Sequence, residues 1–374
     1  MNRIYFDNTA TTAIDPAVFE EMKPYFTEKF GNPSSIYSYG RETRLAIENA
    51  RKTVAQVLHA HPSEIFFTSC GTESTNTALH GAVEDLGCRH IITSPVEHHA
   101  TLHTVDYLVK TRGVKASYVR VSPKGYIDLE DLETILEESK EKCLVTLMHG
   151  NNEIGTRTDI KAVSEICEKY KAIFHSDTVQ TLGHFPIDVS SFKIHFLSGS
   201  AHKFHGPKGV GILYVNRDIK ISPYLEGGGQ EREMRSGTEN VYGIVGLAKA
   251  LQMASDNMEE DSGYIRGLRD YMKKKLEEGI PGVCFNGDPE GDSLYTVLSV
   301  GFPKTDKSDM LLFNLDLHHV CASGGSACSA GALTGSHVIA AIHPKDQTTI
   351  RFSFSKFNTK EEVDQVIEIL KKIL

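Results

Sequence analysis

Short apolar runs alternate with helix-like segments along much of this chain, and that alternation constrains the fold more than any other feature. Ile65-Phe66-Phe67-Thr68 leads through a small-residue turn into a helical pattern over residues 73–83. The runs His90-Ile91-Ile92-Thr93, Leu144-Val145-Thr146-Leu147-Met148 and Ile173-Phe174-His175 follow. After them come His195-Phe196-Leu197 and Gly211-Ile212-Leu213-Tyr214-Val215, and periodic segments 131–139 and 160–170 lie between some of the runs. Strands alternating with helices predict βαβ units and a mostly parallel sheet. Polar residues gather directly after the apolar runs, where open α/β sheets bind their ligands.

The pattern changes after about residue 255. An acidic stretch over 256–261 and a charged helix-like stretch over 266–278 precede two further strand-like runs, Val297-Leu298-Ser299-Val300 and Thr349-Ile350-Arg351-Phe352-Ser353. A closing helix is expected from about residue 360, capped by Thr359 with Glu362 three positions on. The region reads as a second, smaller α+β lobe.

Composition narrows the function. The chain has 374 residues, enough for two to three domains at roughly 150 residues each. With 40 basic and 49 acidic residues its net charge is −9, a poor balance for general nucleic-acid binding. No apolar run approaches the roughly 20 residues of a membrane span, and the N-terminus lacks the pattern of a signal peptide. Seven cysteines, an odd number, fit reduced thiols better than a disulfide framework. These features predict a cytoplasmic protein.

Three segments suggest chemistry. Lys203 lies in Ser198-Gly199-Ser200-Ala201-His202-Lys203, just after a strand-like run. A lysine so placed is either a solvated charge, as Lys208 nearby would be, or an amine desolvated enough to attack a carbonyl. Asp177, in His175-Ser176-Asp177-Thr178-Val179-Gln180, either caps a turn or holds a pyridinium nitrogen protonated. Thr68-Ser69-Cys70-Gly71-Thr72-Glu73-Ser74 is a strand-to-helix turn whose backbone N–H groups suit a phosphate. Neither GxxxxGK[ST] nor GxGxxG occurs, which argues against a P-loop and weakens a nicotinamide reading. Together the segments supply a phosphate cradle, an acid for a ring nitrogen and an amine for an aldehyde. That set belongs to an enzyme that uses pyridoxal 5'-phosphate (PLP).

At these residues the chain resembles the cysteine desulfurases of the NifS/IscS type, within the class V aminotransferases. The resemblance runs nearly end to end. It rests on Tyr5-Phe6-Asp7-Asn8-Thr9-Ala10-Thr11-Thr12, Gly31-Asn32-Pro33-Ser34-Ser35, Glu97-His98 and Asn151-Asn152-Glu153-Ile154-Gly155. It continues through the Asp177 and Lys203 segments, Arg235-Ser236-Gly237-Thr238, Gly325-Ser326-Ala327-Cys328 and Ile350-Arg351-Phe352-Ser353. It implies the PLP-dependent aminotransferase type I fold. The large PLP-binding domain, with a mostly parallel seven-stranded sheet, would span residues 13–257. The small α+β domain would comprise residues 1–12 and 258–374 and carry the catalytic cysteine.

The resemblance also implies roles. Lys203 would bind the cofactor aldehyde and move the substrate α-proton, Asp177 would pair with the ring nitrogen, and Gln180 would bond the phenolate oxygen. His98 would stack on the ring face and, as a catalytic residue, shuttle a proton. Gly71, Thr72, Ser200 and His202 would hold the phosphate, and Thr238 would reach the phosphate of a neighbouring subunit in a homodimer. Asn151 would contact both cofactor and substrate, and Arg351 would orient the substrate carboxylate. Cys328, in the small-residue run 323–331, would accept sulfur from L-cysteine, release L-alanine and hold a persulfide for an acceptor protein or scaffold. The resemblance makes Cys328 a candidate transient iron–sulfur ligand at handover. No intrinsic metal site is expected, since HExxH and CxxC are both absent.

The chain departs from its relatives at Cys70, where many have Gly, and at Tyr37, where they often have His. Relatives that feed an iron–sulfur scaffold often carry a longer tail after the last helix. Selenocysteine lyase activity, or another class V reaction such as transamination, uses similar machinery; a transaminase would not need Cys328.

Overall fold

The computed structural model describes residues 3–305, 308–324, 335–342 and 347–374. The chain opens with strand β1 (Ile4–Tyr5) and helices α1 (Pro16–Met22), α2 (Pro24–Thr27) and α3 (Ser38–Leu58). Seven strands then build the main sheet: β2 (Ile65–Thr68), β3 (His90–Thr93), β4 (Lys115–Tyr118), β5 (Cys143–Thr146), β6 (Ile173–Asp177), β7 (Phe196–Ser200) and β8 (Gly211–Val215). Helices α4 (Gly71–Glu84), α5 (His99–Arg112), α6 (Leu129–Glu138) and α7 (Ile160–Lys169) connect them. The strand order is β2-β8-β7-β6-β5-β3-β4, and only β8 runs against its neighbours.

Strands β2, β3, β5, β6, β7 and β8 are buried along their whole length, as strands covered on both faces must be. This is why they read as continuous apolar runs. Strand β4 is different: it lies at the sheet edge, with Lys115 and Tyr118 exposed. Its polar sequence carries no strand signal, and a lysine there discourages further pairing. Helix α8 (Val241–Asp256) covers one face with α3, burying Val54 and Leu58 in one cluster with Leu247, Leu251 and Phe67. Leu79 and Val83 of α4 and Val105 and Leu108 of α5 cover the other, with Leu144 and Phe196.

A second core lies beyond α8. Helix α9 (Met258–Gly279) precedes β9 (Cys284–Asn286), β10 (Val297–Pro303), α10 (Leu311–Leu317), β11 (Val320–Cys321), α11 (His337–Ile342), β12 (Gln347–Ser353) and α12 (Lys360–Ile373). Strands β12-β10-β9 form an antiparallel sheet, and β11 pairs in parallel with β1. Leu268, Met272, Phe302, Phe352, Val366 and Leu370 share this core, and Phe6 from the N-terminal segment joins them. The capping box at the start of α12 is formed by Thr359 and Glu362. No helix among the described residues is long and apolar enough to cross a membrane.

Candidate active site

The C-terminal ends of β2, β5, β6 and β7, with the turn after β3, open on a cavity of about 230 Å³. At one end lies the turn from β2 into α4. Cys70 is the N-cap of α4 and supplies no side-chain cap, so the first-turn N–H groups remain available to an anion. Gly71 is required there: a Cβ on it would come within 2.6 Å of Val179 Cγ2. Thr72, Ser200 and His202 line the same end. Burial pushes the His202 pKa down to about 4, with Lys203 and Lys208 adding to the effect. Glu73 fixes the turn from behind. It accepts from Ser69 N at 2.8 Å and from Arg235 Nε at 2.9 Å.

Lys203 closes a short 3-10 turn after β7. Its Nζ donates to the carbonyls of Thr9 at 2.6 Å and Ala10 at 3.0 Å. Residues 9–12 thus cross the lysine turn, and Thr12 N bonds the His202 carbonyl at 2.9 Å. Thr9 and Ala10 gave no chemical signal of their own in the sequence, because they act through backbone oxygens. Asp177 ends β6, where its Oδ1 accepts from Val179 N at 2.9 Å. Burial lifts its pKa to about 6, opposed by the Val179 N–H and the charge of Lys203. Gln180 lines the cavity and donates to the Thr9 carbonyl at 3.2 Å.

His98 is the N-cap of α5, and its Nδ1 accepts from Ala100 N at 3.1 Å. Burial pushes its pKa down to about 4, and the charges of Lys203, His337 and His103 act in the same direction. The ring is therefore neutral at pH 7, and the accepting Nδ1 leaves the proton on Nε2.

Arg351 reaches the cavity from β12. Its Nη1 donates to the Asn152 carbonyl at 2.8 Å, while Nε is buried with no hydrogen-bond partner among the described residues. A guanidinium that lines a cavity suits an acceptor such as a carboxylate.

Asn151 and Thr238 stand apart from the cavity lining. The Asn151 Oδ1 accepts from Glu153 N and Ile154 N, and its Nδ2 donates to the Val96 carbonyl. Asn152, its neighbour, lines the cavity instead, together with Met148. Thr238 is exposed, in a separate depression beside Ser69 and Arg235. Cys328 lies outside the described residues, but both flanks of its segment are anchored nearby. Ser323 pairs with the backbone of Arg351, while Ser336 donates to Glu153 and His337 Nε2 lies 2.9 Å from the Glu97 carbonyl oxygen.

The residues fit PLP. Lys203 offers an amine, Asp177 a buried acid and α4 an uncapped N-terminus whose glycine leaves no room for a Cβ. When bound, the cofactor supplies an electron sink for a carbanion at the substrate α-carbon.

Comparison with known proteins agrees with this geometry. The aminotransferase class-V family model matches residues 4–366. A cysteine desulfurase IscS of Dictyoglomus turgidum is 43% identical over 376 residues, covering 99% of this chain and 94% of that protein. A putative cysteine desulfurase IscS 1 of Bacillus subtilis is 42% identical over the full length of both. Among solved structures, a NifS-like protein superposes with a TM-score of 0.92 at 40% identity, covering 100% of this chain and 99% of the other. SspA in complex with cysteine gives 0.81 at 32% identity, covering 96% and 100%. A family match of this extent, with relatives this close, places the chain in the PLP-dependent class V aminotransferase family, on its cysteine desulfurase branch.

Proposed function

We propose that this protein is a cysteine desulfurase that transfers the sulfur of L-cysteine to Cys328 and releases L-alanine. The observation that carries the reading is the convergence of Lys203, Asp177, His98 and Arg351 on one cavity in a chain whose relatives are cysteine desulfurases. The guanidinium of Arg351 binds the substrate carboxylate. Asp177 would hold the ring nitrogen of bound PLP protonated. The Lys203 amine removes the α-proton and returns one to the product. With PLP bound, His98 would cover the ring, Gln180 would bond the phenolate oxygen, and Gly71, Thr72, Ser200 and His202 would hold the phosphate. Asn151 shapes the turn that presents Asn152 and meets a ligand only by giving up its present bonds.

The Cys328 thiolate attacks the substrate sulfur, and the bond from that sulfur to the β-carbon breaks. The departing carbon takes a proton, so that thiol plus L-cysteine becomes persulfide plus L-alanine. Anchoring of Ser323 on Arg351 and of His337 on Glu97 supports this role, because both ends of the Cys328 segment are fixed to residues at or beside the cavity.

Thr238, exposed on a single protomer, suits a homodimer in which it completes the partner's phosphate site. The separate hydrophobic cores support a large unit of residues 13–257 and a small unit of residues 1–12 and 258–374. The persulfide passes to a sulfur-acceptor protein or iron–sulfur scaffold in the cytoplasm. Alanine release from L-cysteine, measured with a thiol reductant present, tests the reaction. Release that needs Lys203 and no keto acid supports it; a keto-acid requirement with Cys328→Ala fully active would instead identify a transaminase.

A further inference from the structure

Glu97 carries a carboxyl that the reaction above does not use. It is 1% exposed. Its Oε1 accepts from Ser94 Oγ at 2.8 Å and from Met148 N at 3.0 Å. Its Oε2 is buried and has no hydrogen-bond partner among the described residues. No lysine, arginine or histidine side chain pairs with the carboxyl there. The charged group acting on it is Asp177 at the end of β6, also an anion, which opposes ionisation. His98 follows it in the chain, and His337 from α11 meets its backbone carbonyl rather than its carboxyl.

An ionised carboxylate needs its charge solvated or paired, and a buried oxygen with neither is costly. A neutral acid suits the same surroundings. Oε1 then serves as the carbonyl oxygen that accepts two hydrogen bonds, and Oε2 carries the proton. Burial pushes the Glu97 pKa up to about 8, whereas Asp177, helped by Val179 and Lys203, stays near 6. Two buried carboxyls in one site are thereby held in different protonation states.

The position of Glu97 gives this a purpose. Its side chain ties the turn after β3 to Met148 at the end of β5, and Met148 and His98 both line the cavity. We propose that Glu97 is a positioning residue acting as a neutral acid: it locks the turn that carries His98 and leaves Asp177 as the single carboxylate charge of the cavity. The inference rests on the cofactor site assigned above.

The test compares wild type, Glu97→Gln and Glu97→Ala. Glutamine reproduces the acceptor and donor pattern of the neutral acid, not that of a carboxylate. The Glu97→Gln protein is expected to hold PLP within about twofold of wild type, with the pH midpoint of its visible band unchanged. Glu97→Ala should weaken PLP binding about tenfold or more, the scale of losing two hydrogen bonds. An infrared difference spectrum, wild type minus Glu97→Gln, should show a protonated-carboxyl band at pH 7. Absence of that band, or a midpoint displaced by about one unit or more in Glu97→Gln, would overturn the neutral acid. Unchanged PLP affinity in Glu97→Ala would overturn the positioning role. The infrared band requires no cofactor, so it decides the protonation state even if wild type bound no PLP, which would be a failure of the site assignment instead.

Discussion

Arg351 is held by Asp7, 344 positions away in the chain, through a 2.8 Å bond from Nη2 to Oδ1. The guanidinium is 1% exposed, and with Nη1 on the Asn152 carbonyl its orientation is fixed before substrate arrives. Lysine would keep the charge and lose the fork. Arg351→Lys is therefore expected to lower kcat/KM for L-cysteine by about 10–100-fold, mostly through KM, the scale of a lost charge-assisted bond. Steady-state alanine formation reads this directly.

Gly71 packs against Val179 where a methyl group would meet Cγ2 at 2.6 Å. Gly71→Ala should weaken PLP binding several-fold, and adding Val179→Ala should restore most of the loss. Titration of the apoprotein with PLP measures both. Failure of the double variant to recover would mean that the contact is not the cause.

Stability should depend on pH through the histidines. Burial pushes the pKa values of His149 and His175 down to about 3, and those of His98, His184, His195 and His202 to about 4. Unfolded histidine binds its proton near pH 6.5, so below that pH the unfolded chain holds more protons than the folded one. Their contribution is complete above about 6.5 and is lost as pH falls toward 4. For His149 and His175 the loss between pH 6.5 and 5 is on the order of 2 kcal/mol each. Asp177 and Glu97 act oppositely, since their raised pKa values favour the folded state at lower pH, but six histidines outweigh two acids. The melting temperature of the apoprotein should fall steadily from pH 7 to 5.

Arg51 and Glu231 form a buried pair, with Nη1 and Nη2 each 2.8 Å from a carboxylate oxygen. Glu231 also accepts from Phe67 N at 2.8 Å, and it begins a run of three left-handed residues, Glu231, Arg232 and Glu233. Such backbone persists only where its surroundings hold it. Arg51→Ala strands a buried carboxylate and should destabilise the protein by about 3–5 kcal/mol in urea unfolding.

The central strands were legible because burial on both faces makes them continuously apolar, as in Ile65-Phe66-Phe67-Thr68. Edge strand β4 was not, since Lys115 needs no apolar cover there. Helix α5 was obscured by its histidines and threonines, of which Thr101 and Thr104 are buried. Lys203 and Asp177 stood out because they follow strand-like runs. Thr9, Ala10 and Asn152 did not, because a backbone carbonyl has no residue signature. The role proposed for Glu97 was hidden for another reason: it rests on an oxygen that packing leaves without a partner among the described residues.

The proposed reaction delivers the sulfur of L-cysteine to Cys328 in steps begun at Lys203. Mass spectrometry of the Cys328 peptide, after L-cysteine is added to PLP-loaded protein without reductant, tests it most directly. One added sulfur atom on that peptide is expected, with alanine released, and no addition in Lys203→Ala. An unmodified Cys328 peptide with no alanine formed would contradict the proposed reaction.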